Sequence, residues 1–286
     1  MAVDEDGEAS AKRQRGDGGS GLLAEVFSKL PRARHLPPEV APGQRLGLER
    51  FLVDFLQQRR PVLWRGGCAD WPAVRRWSRT CFWTKGKLGQ RWVPVEMDYW
   101  LDEGFKLMKM CDFVRHCKEA QSRASPATGL SGGGYLAQHA LFEQIPALQE
   151  DILTPDLALC GEGALLRQVF FGPKGTVTPL HSDPYENIFC QVVGMKYLRI
   201  FHPQETDRLA PRTAGDLQNN SRIEPPDILE GEKTGAYKDG PFHKLAEAEF
   251  FDMVLEPGDL LYLPRGWWHF VKSFSTSISV AFHFEV

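Results

Sequence analysis

Little in this chain of 286 residues points to a compartment or to a charged partner. The six cysteines, at 68, 81, 111, 117, 160 and 190, contain no CxxC pair. A disulfide framework is therefore not signalled, and the reduced thiols of an intracellular protein are expected. The formal net charge is only -3, from 34 Lys and Arg against 37 Asp and Glu. No general attraction to nucleic acid or to an anionic membrane follows from that balance. No apolar run approaches the ~18 residues a spanning helix needs. The polar start offers no secretory signal. There is no internal repeat, and residues 1–21 hold hardly any bulky apolar side chain. They cannot offset the entropy of ordering and are expected to form a disordered tail. Lys12-Arg13-Gln14-Arg15 within them fits a nuclear import patch or, more simply, a solvated stretch. A nuclear or cytoplasmic location is expected.

What is present is an ordinary globular composition, 42% hydrophobic and 25% charged. Residues 22–134 read as a mixed helical and strand region packing on the C-terminal half of the chain. Leu48, Phe51, Leu52, Phe55 and Leu56 have helical spacing. Val62-Leu63-Trp64 and Trp92–Glu96 read as strands, with Trp71 and Trp77 as core. Met110, Phe113, Val114 and Cys117 predict a helix, and 121–134 a flexible loop. From Tyr135 the character changes. Leu141 to Leu148 looks helical; short strands are then expected at 167–172, 178–183, 187–193, 196–201, 251–255, 260–263 and 276–284. The last of these alternates as a half-buried strand should. Many short strands without helices between them indicate an antiparallel double-sheet barrel or jelly roll, so 135–286 is mainly β with flanking helices. The polar, Pro- and Gly-rich segment 211–248 is expected to pass over the barrel mouth. The chain stops just after its final strand, which favours a monomer.

One constellation carries chemistry. His181 and Asp183 are two apart, so in a strand they share a face. His269 follows the turn Glu256–Asp259 and the strand Leu260–Leu263, which would set it at the barrel rim, past the end of that strand. Two imidazoles and one carboxylate form the facial triad of non-haem Fe(II) oxygenases, which leaves coordination positions open. A lone HxD motif or a histidine beside tryptophans usually means packing; ligand type, spacing and strand context together favour a metal site. Lys196 lies in an apolar strand. Either a carboxylate co-substrate compensates its ammonium or its head snorkels to water. The remaining histidines (35, 116, 139, 202, 243 and 283) read as surface or packing residues, although His283 on the last strand can approach the interior. Cys190 reads as a small core residue.

The stretches Tyr135-Leu-Ala-Gln-His139, Phe171-Gly-Pro-Lys-Gly-Thr176, Pro179-Leu-His-Ser-Asp-Pro184, Gln191-Val-Val-Gly-Met-Lys-Tyr197, Pro203-Gln-Glu205 and Trp268-His269 resemble the JmjC-domain oxygenases. Within them, the small arginyl hydroxylases are most similar. The likeness runs from about Val62 to the C-terminus. It implies a double-stranded β-helix and the use of Fe(II), 2-oxoglutarate and O2. By resemblance, His181, Asp183 and His269 match the iron ligands and catalytic centre. Lys196 matches the partner of the distal 2-oxoglutarate carboxylate, with Thr178 beside it and Tyr135 and Asn187 in the same pocket. Glu96 and Gln138 match positions that hold the substrate side chain; from the residues alone Glu96 would read as an exposed strand residue. Phe170 stands where the arginyl hydroxylases carry a tryptophan.

The implied activity is hydroxylation of an arginine in a protein or peptide. Histone lysyl demethylation, on a methyl-lysine peptide, is the alternative. A non-catalytic cupin-like interaction module and a cupin enzyme that needs only its metal are further readings. No nucleic acid or membrane partner is implied.

Overall fold

The computed structural model of the chain describes residues 36–97, 104–122, 134–213, 215, 218–224, 228 and 240–286. The expected tail, the basic patch, most of the 121–134 loop and much of 211–248 lie outside the described residues. Thirteen strands are found among the described residues: β1 (Glu39–Val40), β2 (Val62–Trp64), β3 (Trp92–Glu96), β4 (Phe105–Lys109), β5 (Leu136–His139), β6 (Glu162–Gly172), β7 (Val177–Ser182), β8 (Glu186–Val193), β9 (Lys196–Phe201), β10 (Phe251–Leu255), β11 (Leu260–Leu263), β12 (Trp268–Ser273) and β13 (Ser277–Glu285). They form a seven-stranded sheet, β1-β2-β11-β8-β13-β6-β5, a four-stranded sheet, β10-β9-β12-β7, and the ribbon β3-β4. Pairing is antiparallel except between β1 and β2. The two large sheets face each other as the antiparallel jelly roll that the strand spacing predicts, with the double-stranded β-helix arrangement that the resemblance implies.

Three apolar cores follow from this layering. Leu198, Ile200, Met253, Leu255, Leu261 and Ala281 fill the space between the sheets. Tyr197, Phe201, Val254, Trp268 and Phe270 turn out from the four-stranded sheet and meet Leu209, Ile223, Ile228, Leu245 and Phe250 of the 211–248 excursion and its flanks. Ile188, Cys190, Val280, Phe282 and Phe284 turn out from the seven-stranded sheet. They meet Phe51, Phe55, Trp71, Trp77, Phe113 and Phe142 of the segments that precede the barrel.

That covering layer corrects one expectation. β13 alternates as a half-buried strand would, yet every residue from Ser277 to Phe284 is buried. Its second face meets the barrel interior while its first meets the N-terminal layer. A second correction concerns 141–148. The helix stops at Gln144, Ile145 is extended (φ -135, ψ 77), and a 3-10 turn resumes over Pro146–Asp151. Pro146 disfavours a helical conformation at the residue before it. The 48–56 segment is a helical turn, Leu48–Phe51, continued by a π turn, Leu52–Leu56. It buries Phe51, Phe55 and Leu56, but Leu48 stays 46% exposed. The strands β1, β4, β5 and β12 are not legible as strands in the sequence.

Candidate metal centre and co-substrate pocket

His181 and His269 face each other across the β7–β12 pair, their rings 4.1 Å apart. His269 is thus the second residue of its own strand and not the rim residue beyond β11 that the turn-strand-histidine order suggested. β11 pairs in the opposite sheet; the Pro264–Gly266 turn carries the chain across, held by Gly266 N donating to the Asp183 carbonyl at 2.8 Å. Asp183 follows β7 directly. Its Oδ1 lies 3.7 Å from His181 Nε2 and its Oδ2 3.7 Å from His269 Nε2. One donor atom from each of the three residues lies within 4.8 Å of the others.

Both imidazoles are oriented by the backbone. His181 Nδ1 is 2.7 Å from the Pro179 carbonyl and His269 Nδ1 is 3.2 Å from that of Trp267. A carbonyl is only an acceptor, so each Nδ1 carries the hydrogen and each Nε2 turns its lone pair toward Asp183. Burial, with His181 nearby and Asp183 opposing, pushes the His269 imidazole down to about 3. It is neutral at physiological pH, as a metal ligand must be. Burial works to raise the Asp183 carboxyl; in their protonated forms His269, His181 and His283 outweigh it and hold the group below its ordinary value.

A bulge completes this side of the pocket. Thr178 and His181 are three residues apart, which puts them on opposite faces of a regular strand. Across the pair, His269 opposes His181 while Val271 opposes Thr178, so β7 holds one residue more than β12. The extra residue turns Thr178 to the same cavity as His181.

Lys196 opens β9 after the tight turn at Gly194, whose φ of +70 and close approach to the Thr276 carbonyl leave no room for a side chain. The lysine is 2% exposed, and its Nζ lies 5.3 to 5.7 Å from the ring centres of Phe189, Phe170 and Tyr135. Among the described residues no carboxylate pairs with it. Burial pushes its ammonium down to about 7. The snorkelling alternative is excluded by that burial. A cavity of about 490 Å³, counted out to its open mouth, is lined by Tyr135, Gln138, Phe170, Thr178, Asn187 and Lys196 together with the triad.

Gln138 sits at this mouth with a φ of 47, in a β5 segment where the register with β6 shifts. The buried Oδ1 of Asn187 has no hydrogen-bond partner. Glu96 does not line the cavity. Its backbone pairs in both directions with Tyr135, and the buried Oε2 of its carboxylate has no partner. Burial lifts that carboxyl to about 7. One residue of the site was read from sequence as packing: His283 of β13 lines the same cavity, its Nε2 3.9 Å from Asp183 Oδ2. The alternation of β13 carried the signal, since 279, 281 and 283 share the face away from Ile278, Val280, Phe282 and Phe284.

The residues fit the cofactors that the triad implies. Two neutral imidazoles and a carboxylate on one side of a cavity suit Fe(II) and leave its other side open. A buried cation without a counter-charge, at the apolar end of the same cavity, suits the far carboxylate of 2-oxoglutarate.

The model of the cupin-like domain family matches residues 48–286. The chain is 35% identical over 283 residues to lysine-specific demethylase 8 of Danio rerio, covering 96% of this chain and 63% of that protein. It is 38% identical over 244 residues to lysine-specific demethylase JMJ30 of Arabidopsis thaliana, covering 83% and 52%. With Jumonji C domain-containing protein 5 of Drosophila melanogaster it shares 36% over 246 residues, covering 83% and 58%. The chain therefore spans between half and two thirds of the length of these relatives. With a double-stranded β-helix and a His-Asp-His triad in place, the chain belongs to the cupin-like JmjC family, whose members use Fe(II) and 2-oxoglutarate.

Proposed function

We propose that the chain is a 2-oxoglutarate-dependent protein oxygenase that hydroxylates an arginine side chain. Lys196 carries the oxygenase reading: it is a buried amine without a carboxylate partner, in one cavity with the triad. When bound, Fe(II), 2-oxoglutarate and O2 supply the oxidising power, with succinate and CO2 as by-products. The chain's own residues position and exclude. His181, Asp183 and His269 hold the cation from one side. Lys196 and Thr178 hold the far carboxylate, and Phe170 and Phe189 keep water from that contact. A non-catalytic module would have no use for a buried unpaired lysine beside three metal donors.

Glu96 supports arginine as the target. A half-buried carboxylate with an unpaired oxygen favours a cation that brings its own hydrogen-bond donors, and a guanidinium supplies a planar pair of them. A trimethylated ammonium supplies none. Gln138, at the cavity mouth, offers an amide to the same side chain. The substrate is then a protein or peptide, met by a monomer inside the nucleus or cytoplasm. The names of two relatives favour a second reading, demethylation of a lysine.

One assay separates the two. The protein is incubated with Fe(II), 2-oxoglutarate and matched peptides carrying arginine or methyl-lysine, and the products are weighed. Arginine hydroxylation adds one oxygen; demethylation removes a methyl group and releases formaldehyde. A Glu96→Gln variant is expected to lose arginine hydroxylation while still consuming 2-oxoglutarate without substrate. Undiminished hydroxylation in that variant removes the guanidinium pairing.

A further inference from the structure

Asp183 is surrounded by three imidazoles at nearly equal range: His181 and His269 at 3.7 Å and His283 at 3.9 Å. They are not equivalent. The backbone carbonyls at Pro179 and Trp267 fix His181 and His269 with hydrogen on Nδ1, so their Nε2 atoms are lone-pair donors. Neither can donate a hydrogen bond from Nε2 to the carboxylate. No backbone carbonyl fixes His283: among the described residues its ring makes no hydrogen bond, and its nearest ring neighbour is Tyr185 at 6.0 Å. Its Nε2 is free to carry the hydrogen that the other two lack.

Its position is also distinct. His181 and His269 lie on the four-stranded sheet, whereas His283 lies on β13 of the sheet opposite, level with Asn187 of β8. Asp183 thus meets two lone pairs from its own sheet and, from the facing wall, one ring nitrogen that can carry a hydrogen. A carboxylate that gives one oxygen to a cation turns freely about its own axis unless the other oxygen is held. Partners that hold ligand carboxylates are worth roughly 10- to 100-fold in metal affinity. We infer that His283 is a positioning residue: its Nε2–H fixes the Asp183 carboxylate in the orientation in which it offers one oxygen to a divalent cation. At 3.9 Å the two atoms are outside hydrogen-bond distance in this structure, so the contact requires the carboxylate to turn toward His283.

The test uses Co(II) alone, followed by its visible absorption, and needs neither 2-oxoglutarate nor a peptide. Its outcome is therefore independent of the substrate reading. His283→Phe keeps a ring and removes the donor; His283→Leu is a second non-donor variant should the first fail to fold. His283→Gln keeps an N–H. The non-donor variants are expected to bind Co(II) ~10- to 100-fold more weakly, with an altered absorption band, and His283→Gln to recover most of the loss. The urea midpoint of the metal-free variants should not follow that order. Wild-type Co(II) affinity in either non-donor variant overturns the inference. So does a His283→Gln variant as weak as His283→Phe, because restoring a donor would then have restored nothing.

Discussion

The four-stranded sheet turns Thr178, His181, Lys196 and His269 into the cavity, whereas the seven-stranded sheet turns Asn187, Phe189 and His283 toward them. Their outer faces differ as well. Outside the four-stranded sheet, Arg199 donates to both oxygens of Asp252 at 2.9 and 3.0 Å, and Tyr197 Oη donates to Asp252 at 2.7 Å. Outside the seven-stranded sheet the corresponding layer is apolar, with Phe282, Val280, Ile188 and the surrounding tryptophans. One sheet thus holds most of the chemistry and has polar groups on both faces. The other supplies a wall and draws its cohesion from apolar burial. The contrast shows how a barrel can place costly groups together: they stand on one short sheet, backed by an ionic cluster and faced by a sheet whose outer side is apolar.

Removing a donor from the four-stranded sheet is the largest break. His269→Ala should abolish detectable Co(II) binding in a titration, while far-ultraviolet circular dichroism stays that of the native chain. Stability separates the outer faces next. Asp252→Ala strands the fully buried Arg199 guanidinium and should cost ~3–5 kcal/mol in urea unfolding. Phe282→Ala, on the other sheet, should cost a similar ~3–5 kcal/mol by leaving a cavity. Replacing Arg199 and Asp252 together by apolar residues should restore much of the loss, whereas no second change rescues Phe282→Ala so simply. If both single variants unfold at the wild-type urea midpoint, the contrast between the faces has no energetic content.

Lys196→Met keeps the stem and removes the charge. Loss of a charge-assisted contact of ~1.5–3 kcal/mol should weaken 2-oxoglutarate binding by about 10- to 150-fold, read by calorimetry. The same lysine sets a pH signature. Its folded-state value of about 7 lies below its ordinary 10.5, so between these limits the unfolded chain binds the extra proton. Stability should therefore rise with pH across that window and do so less in Lys196→Met. Affinity for 2-oxoglutarate should fall over the same range, because the free lysine must regain its proton. The smallest effect is expected from Thr178→Ala: a single neutral hydrogen bond of ~0.5–1.5 kcal/mol, or about 2- to 12-fold in the same calorimetric measurement.

Much of this was legible because it obeys local rules. The triad announces itself by residue type, and six of the expected barrel strands from 167 to 263 lie within one residue of a found strand's end or inside it. The rest depended on tertiary context. The bulge that brings Thr178 beside His181 is defined only against β12. β12 itself, Trp268–Ser273, has the apolar and aromatic content of a core segment, and only pairing with β7 and β9 makes it a strand. His283 was visible as alternation but not as function, since nothing in β13 says which of its two faces looks at the three metal donors. Glu96 shows the reverse: resemblance marked it for the substrate, whereas it does not line the cavity and keeps a buried oxygen without a hydrogen-bond partner.

β11 is hydrogen-bonded on one side to β8 and on the other to β2, nearly two hundred residues earlier in the chain. The outward phenylalanines of β13 rest on the same early segment. A fragment cut just ahead of Tyr135 would bare a strand edge and an oily sheet at once, the combination that drives self-association. Grafting this barrel onto another scaffold, or trimming it for crystallography, thus requires carrying along the segments ahead of Tyr135 that cover it.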